Sequence, residues 1–412
     1  YAPLSFAAIA GRNSYEYYDP ERKSPIHNWH ITNGAVFEDV GQWKRPWYFP
    51  INKNETMDEA VQRESKNVRE NAGVLDGSTL GKIEIKGKDA LAFMNLIYTN
   101  SFSKMKPGTS RYALMLGEDG MVKDDGIICK ISDEHFIATT TTGGAATVLG
   151  CMEEYAQTEW PNLNVYMNSI TEQYATFNIS GPKTRNIIEK VFPEVNFSNE
   201  AFPFMTFQFH EYEDTPIRIL RASFTGEMGY EIYVPSNQAL KIWEKIINFG
   251  KEFGLKPYGT ETMHLLRAEK GYIIVGQDTD GSITPLDLGL DWMIGKSKKD
   301  FLGKRSLIRS DTVRKDRKQL VGILPTNKNE KLEEGQHIIL DKEIKTPTPM
   351  LGHITSCYQS PTLGHNFALA VIKNGQSLIG TKAFASTPEL KTIEVEIVEP
   401  IFYDKENTKL AS

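Results

Sequence analysis

Two acidic stretches carry the chemistry this sequence can support. In the first, a glycine-bearing turn, Ser223-Phe-Thr-Gly-Glu-Met-Gly229, runs into an alternating strand, Tyr230-Glu-Ile-Tyr-Val234. Glu231 falls where a half-buried strand surface ordinarily carries an apolar residue. A carboxylate there costs several kcal/mol unless it is paired or hydrogen-bonded. A heterocycle with an N–H beside an amino group would satisfy it bidentately, and the 2-amino-4-oxo edge of a pterin has that pattern. A strand-edge salt bridge would satisfy it too.

The second stretch, Leu114-Met-Leu-Gly-Glu-Asp-Gly-Met-Val-Lys-Asp-Asp-Gly-Ile-Ile-Cys-Lys130, reads as strand, tight turn, strand, with Gly120 supplying a positive φ. The return strand opens on adjacent acids, Asp124 and Asp125. Side chains alternate across a strand, so one acid faces the inner side of the sheet and the other faces away. An inward carboxylate at a strand mouth is a candidate general base or cation stabiliser. Both acids capping the turn is the alternative.

The elements that must position these groups follow from periodicity. Residues 1–50 read as an N-terminal linker and an aromatic, basic segment that includes Trp43, Trp47 and Tyr48. A helix is predicted over 56–72, with Thr56 and Asp58 available as caps. Residues 51–310 then form two subdomains, each built on the same unit of strand, glycine turn and helix: Gly81 to Ile97 around Gly87, and Ala175 to Val191 around Gly181. In the second copy Pro182 suits a first helical turn. Ala239 to Phe253 is predicted helical, with Leu240, Trp243, Ile246 and Ile247 on one face. A basic run from Lys296 to Lys318 reads as a solvated helix and linker. Residues 318–404 show short strand signals at 319–324, 337–340, 350–355, 367–372 and 393–397, the cadence of a small β-barrel or jelly roll. The fold class is therefore α+β, two mixed subdomains with antiparallel sheets plus a C-terminal barrel.

Composition narrows the options. The chain has 412 residues, 40% hydrophobic and 24% charged, with a net charge of −6, so it lacks the basic field of a nucleic-acid binder. No apolar run approaches the ~18 residues of a membrane span. Cys129, Cys151 and Cys357 are too scattered for a disulfide framework or a zinc site, which fits a cytoplasmic location and no metal. Dinucleotide, phosphate-loop, metalloprotease and nucleophile-elbow motifs are missing. The start at Tyr1-Ala-Pro, without Met, reads as a piece of a longer polypeptide or a processed one.

Taken together, Asp119-Gly-x-x-x-Asp-Asp125, Phe224-Thr-Gly-Glu-x-Gly-Tyr-Glu231, Leu266-Arg-Ala-Glu-Lys-Gly271 and Ser360-Pro-Thr-Leu-Gly364 resemble the signature stretches of the glycine-cleavage T-protein aminomethyltransferases. Gly41-Gln-Trp-Lys-Arg-Pro-Trp-Tyr-Phe49, Ser78-Thr-Leu-Gly-Lys82 and Thr139-Thr-Thr-Thr-Gly-Gly144 resemble the folate-binding half of the alpha subunits of heterotetrameric sarcosine oxidases. The resemblance implies a three-lobed fold around a tetrahydrofolate cavity. It implies that Asp124 assists one-carbon transfer and that Glu231 holds the pterin. Arg267, Tyr112, Asp125 and Glu227 are implied in folate binding. It further implies flavin-carrying sarcosine oxidase subunits as partners, with FAD/FMN and NAD only on those subunits or on a missing N-terminal half. Capture of the carbon lost from sarcosine, giving 5,10-methylenetetrahydrofolate and glycine, is the implied reaction. A stand-alone folate-dependent aminomethyltransferase or demethylase, and a non-catalytic folate scaffold, are the alternatives. Leu80-Gly-Lys82 and Lys270 depart from the T-protein pattern and disfavour a lipoyl-arm substrate.

Overall fold

A computed structural model describes residues 3–11, 17–18 and 20–411. The chain builds three lobes. The first is a five-stranded antiparallel sheet ordered 109–116, 122–132, 135–140, 81–86, 166–169. The second is a six-stranded sheet ordered 207–212, 215–220, 229–235, 174–180, 72–76, 255–257, antiparallel except where the last strand runs parallel to 72–76. The third is a closed barrel of 318–325, 365–373, 352–360, 337–339, 382–386 and 392–398. The α+β class with a C-terminal barrel is thus as the sequence implied.

The repeated unit is present in both sheets. Strand Gly81–Lys86 leads into helix Ala90–Ile97, and strand Tyr174–Ser180 into helix Thr184–Val191. Gly87 and Gly181 have φ of +137° and +133°, which only glycine adopts without strain. A Cβ would also drive Gly87 into the backbone of Asn164 and Gly181 into the backbone of Val68 and Asn71. Each helix lays its apolar stripe on its own sheet: Phe93, Met94 and Ile97 in one lobe, Ile187, Ile188 and Val191 in the other. Pro182 lies in the turn ahead of its helix and not in the first helical turn.

Other elements differ from expectation in instructive ways. Helix Met57–Glu70 is capped by Thr56 as predicted, but its reciprocal partner is Glu59, not Asp58: the Glu59 carboxylate accepts the Thr56 N–H at 2.9 Å. Helix Ala239–Gly250 buries Ala239, Ile242, Trp243 and Ile246, while Leu240 is turned to solvent. The N-terminal aromatic segment is a helix, His27–Thr32, and a hairpin, Val36–Val40 with Trp43–Tyr48. Trp43 is buried beneath the Arg22 guanidinium, and the Trp47 indole N–H donates to Glu261 at 2.9 Å. The basic run forms only a short 3-10 turn, Lys304–Ile308. Lys298 donates to the carbonyls of Tyr98 and Asn100, and Arg317 pairs with Asp287 at 2.8 Å, so parts of the run stitch neighbouring segments together. In the barrel, strand Lys382–Ser386 was not signalled; its inward residues are alanines, Ala383 and Ala385, too small to mark a strand.

One apolar cluster joins all three lobes. Leu114, Leu116 and Val122 come from the first sheet, Ala268 from helix Thr260–Glu269, and Leu320, Phe367 and Leu369 from the barrel. No helix among the described residues is long and apolar enough to cross a membrane.

Candidate functional site

The return strand Val122–Ser132 decides which acid faces where. Cys129 packs with Leu220, Ala222 and Tyr233 of the second sheet, and Ile127 lies against the same cluster. Ile128, on the opposite side of the strand, packs with Val148 and Met152 of helix Ala145–Thr158. By alternation Asp125 joins Ile127 and Cys129 on the face toward the second sheet, and Asp124 joins Ile128 on the helix side.

Contacts agree. Asp125 accepts the Tyr112 hydroxyl at 2.6 Å across the hairpin. Asp124, only 3% exposed, accepts the Thr141 hydroxyl at 2.6 Å and the Thr141 N–H at 3.3 Å. A Cβ on Gly144 would meet its Oδ1. Asp125 therefore lies on the side of the strand toward the second sheet, and Asp124 on the helix side. Burial raises both carboxyls, Asp124 to about 7 against the opposing Thr141 hydroxyl and Asp125 to about 6 against the opposing Tyr112 hydroxyl.

Glu231 stands on the facing sheet. Strand Gly229–Pro235 pairs it with Asn178 on one side and Leu220 on the other. Tyr233, two residues on and on the same face, donates its hydroxyl to Oε2 at 2.5 Å, and the Asn178 side-chain N–H donates to Oε1 at 3.1 Å. A carboxylate has about four acceptor positions, so two remain for a ligand. Burial raises its pKa; the Tyr233 hydroxyl, Arg218, Lys82 and Asn178 pull it back. The carboxylate opens on a cleft lined by Leu75, Phe224, Tyr258 and Met263 among others. Phe224 stacks on Tyr272 at 6.0 Å. A larger cavity lies between helices Met57–Glu70 and Thr260–Glu269 and the barrel, lined by Val61, Leu265 and Tyr358 among others.

The structure does not bring Glu227 or Arg267 to the cleft wall. Glu227 accepts from Arg69 at 3.0 Å and from the Tyr403 hydroxyl at 2.5 Å. Arg69 also holds Glu269, whose other oxygen accepts the Ser360 hydroxyl, and its guanidinium lies over the Tyr403 ring at 3.8 Å. Arg267 is fully buried, paired with Asp278 and donating to Ser356 at 2.7 Å. It also donates to the Tyr272 carbonyl at 3.0 Å, so it reaches the cleft only by fixing that ring. Tyr233 and Asn178 were missed. The two-residue spacing to Tyr233 was readable, whereas Asn178 needs the strand register. Among the described residues no group of three or more His, Cys, Asp or Glu could hold a metal ion.

Comparison with known proteins places this geometry. The family model of the GCVT N-terminal domain matches residues 26–298, and that of the glycine cleavage T-protein C-terminal barrel domain matches residues 318–404. Sarcosine oxidase subunit alpha from Corynebacterium sp. (strain U-96) is 48% identical over 99% of this chain, and that from Rhizobium meliloti (strain 1021) is 39% identical over 100% of this chain. The chain spans 42% of the length of each of these relatives. An aminomethyltransferase from Thermoanaerobacter pseudethanolicus is 29% identical over 95% of this chain and 100% of its own. The crystal structure of glycine cleavage system aminomethyltransferase T from Bartonella henselae shares the fold, with a TM-score of 0.80 at 22% identity over 93% of this chain and 98% of that one.

Proposed function

The chain belongs to the glycine cleavage T-protein family, and from that premise and the geometry around Glu231 we propose that it is the tetrahydrofolate-binding part of a sarcosine oxidase. The observation that carries the reading is a half-buried carboxylate with two acceptor positions open on an aromatic-walled cleft. Glu231 accepts the N–H and amino group of the pterin, a charge-assisted bidentate contact. Phe224 and Tyr272 flank the bound ring, and Arg267 fixes Tyr272 by its carbonyl. Bound tetrahydrofolate supplies the nucleophilic nitrogens that take up the one-carbon unit.

Asp125 takes the catalytic part earlier assigned by resemblance to Asp124. Its carboxylate, aimed by the Tyr112 hydroxyl, stabilises the cationic one-carbon donor released by oxidation of sarcosine and accepts the proton set free on attack. A positioned base of this kind contributes about 10²–10⁴-fold, and holding the reactants together supplies the rest. Flavin-carrying subunits perform the oxidation, and the products are glycine and 5,10-methylenetetrahydrofolate. The 48% identity to a sarcosine oxidase subunit, against 29% to an aminomethyltransferase, favours this branch over a lipoyl-arm substrate.

Calorimetric titration with tetrahydrofolate, beside a Glu231→Ala variant, tests the site. Saturable binding weakened in the variant is the expected result; equal affinity in both would refute the role given to Glu231. For the reaction, the yield of methylenetetrahydrofolate per sarcosine oxidised should collapse in Asp125→Asn while sarcosine oxidation continues. An unchanged yield would refute the role given to Asp125.

A further inference from the structure

The cavity between helices Met57–Glu70 and Thr260–Glu269 and the barrel has no task in that scheme. It lies where three apolar cores stop short of one another. Val61 and Leu265 belong to the core shared by the two helices, Phe367 to the seam that joins the lobes, and Leu332 to the barrel interior. The Tyr358 ring, 6.1 Å from that of Phe367, completes an apolar floor. The space amounts to about 210 Å³. An apolar cavity of about 150 Å³ admits benzene, so this one takes a ring with a short substituent. None of its lining residues lines the Glu231 cleft.

The wall of this cavity also carries a carboxylate. Glu261, in the first turn of helix Thr260–Glu269, has a side chain 22% exposed. Its Oε2 accepts the Trp47 indole N–H at 2.9 Å and lies 3.7 Å from His264 Nδ1. Its Oε1 has no hydrogen bond among the described residues. Burial pushes this carboxyl up, but His264 and Trp47 outweigh burial and hold it below the usual carboxylate value, so it is ionised at neutral pH. Lys331, the one cation in the lining, stands at the exposed rim with its ammonium 4.0 Å from Asp58. We propose that this cavity is a second ligand site, for a monocationic amine bearing a ring or a branched alkyl group. The ammonium donates to Glu261 Oε1, a charge-assisted bond, while the apolar part covers Leu265, Leu332 and Phe367. A zwitterionic amino acid is disfavoured, because its carboxylate finds no buried cation there. The inference does not depend on the folate reading.

Titrating the intact chain with benzylammonium, benzyl alcohol and benzoate, followed by ligand-observed NMR and calorimetry, tests the site. Saturable binding is expected for benzylammonium, about tenfold or more weaker binding for benzyl alcohol, and none for benzoate. Glu261→Gln keeps the shape and the acceptor for Trp47 but removes the charge. It should weaken benzylammonium about 10- to 100-fold, the range for a hydrogen bond to a charged group, and leave benzyl alcohol nearly unchanged. Gln359→Trp, at an exposed lining position where a large residue is tolerated, should exclude both by filling the space. Glu231→Ala should change neither affinity. Benzylammonium that fails to saturate, that binds no better than benzyl alcohol, or that binds Glu261→Gln as it binds the parent would overturn the proposal. Loss of binding in Glu231→Ala would put the amine in the other cleft and overturn it too, whereas the folate reading stands or falls on its own titration.

Discussion

Two ionic regions of the molecule follow opposite designs. In the first, Arg69 is clasped by Glu227 and Glu269, roofed by Tyr403 and completed by Ser360, so that each carboxylate is matched by a donor from the chain. In the second, Glu231 and Asp125, on facing sheets, accept from Tyr233, Asn178 and Tyr112, and neither is in a salt bridge among the described residues. The first set fastens helix Met57–Glu70 to helix Thr260–Glu269, the 223–229 turn and the C-terminal segment. The second leaves acceptor positions open, which is what the proposed ligand site requires. Satisfied charge serves as scaffold here, and the less satisfied pair is where the proposed function lies.

Breaking that contrast should give graded results. The largest effect on stability is expected from Arg69→Met, which strands Glu227 and Glu269 in the interior and costs about 3–5 kcal/mol, read as a lowered midpoint in denaturant unfolding. Asp125→Asn should do the reverse: stability unchanged or raised, and folate-dependent capture slowed about 10²–10⁴-fold. Since that carboxyl must be ionised to take a proton and is raised to about 6, capture in the parent protein should fall as pH drops through about 6, and the variant should lose this limb. Asp124→Asn, on the far face, should change capture little; a loss as deep as that of Asp125→Asn would return the role to Asp124. Glu231→Ala should weaken folate binding roughly 10- to 100-fold, the range for a hydrogen-bonded charge.

The most diagnostic effect concerns Lys82. Burial lowers its pKa to about 7, against about 10.4 in the unfolded chain. Between those values the unfolded state binds a proton that the folded state lacks, so this group makes stability rise with pH across the window, by up to about 1.4 kcal/mol per unit. The penalty is complete below about 7 and gone above about 10.4. Subtracting the stability profile of Lys82→Met from that of the parent should isolate this slope; a flat difference would show the group is not held in an apolar setting.

The sequence made some of this readable and hid the rest for definable reasons. Gly87 and Gly181 announced the repeated unit because each turns with positive φ where another segment's backbone leaves no room for a side chain. The Tyr112 to Asp125 hairpin was legible from its turn. Alternation established that Asp124 and Asp125 point oppositely, but it carries no information on which side the second sheet packs. Glu227 and Glu231 looked alike in one signature stretch, and only the arrival of Arg69 and Tyr403 from distant segments distinguishes them. Lys82 and Arg218 were ordinary cations in sequence; that neither forms a salt bridge among the described residues emerges only once two sheets are apposed.

The two acids of the proposed site belong to different lobes, and those lobes touch directly where Cys129 of the first sheet packs with Leu220 and Tyr233 of the second. That contact acts as a spacer: trimming Leu220 should change the reach between Asp125 and Glu231 without touching either carboxylate. A ligand held at both ends would feel the change, and one held at Glu231 alone would not.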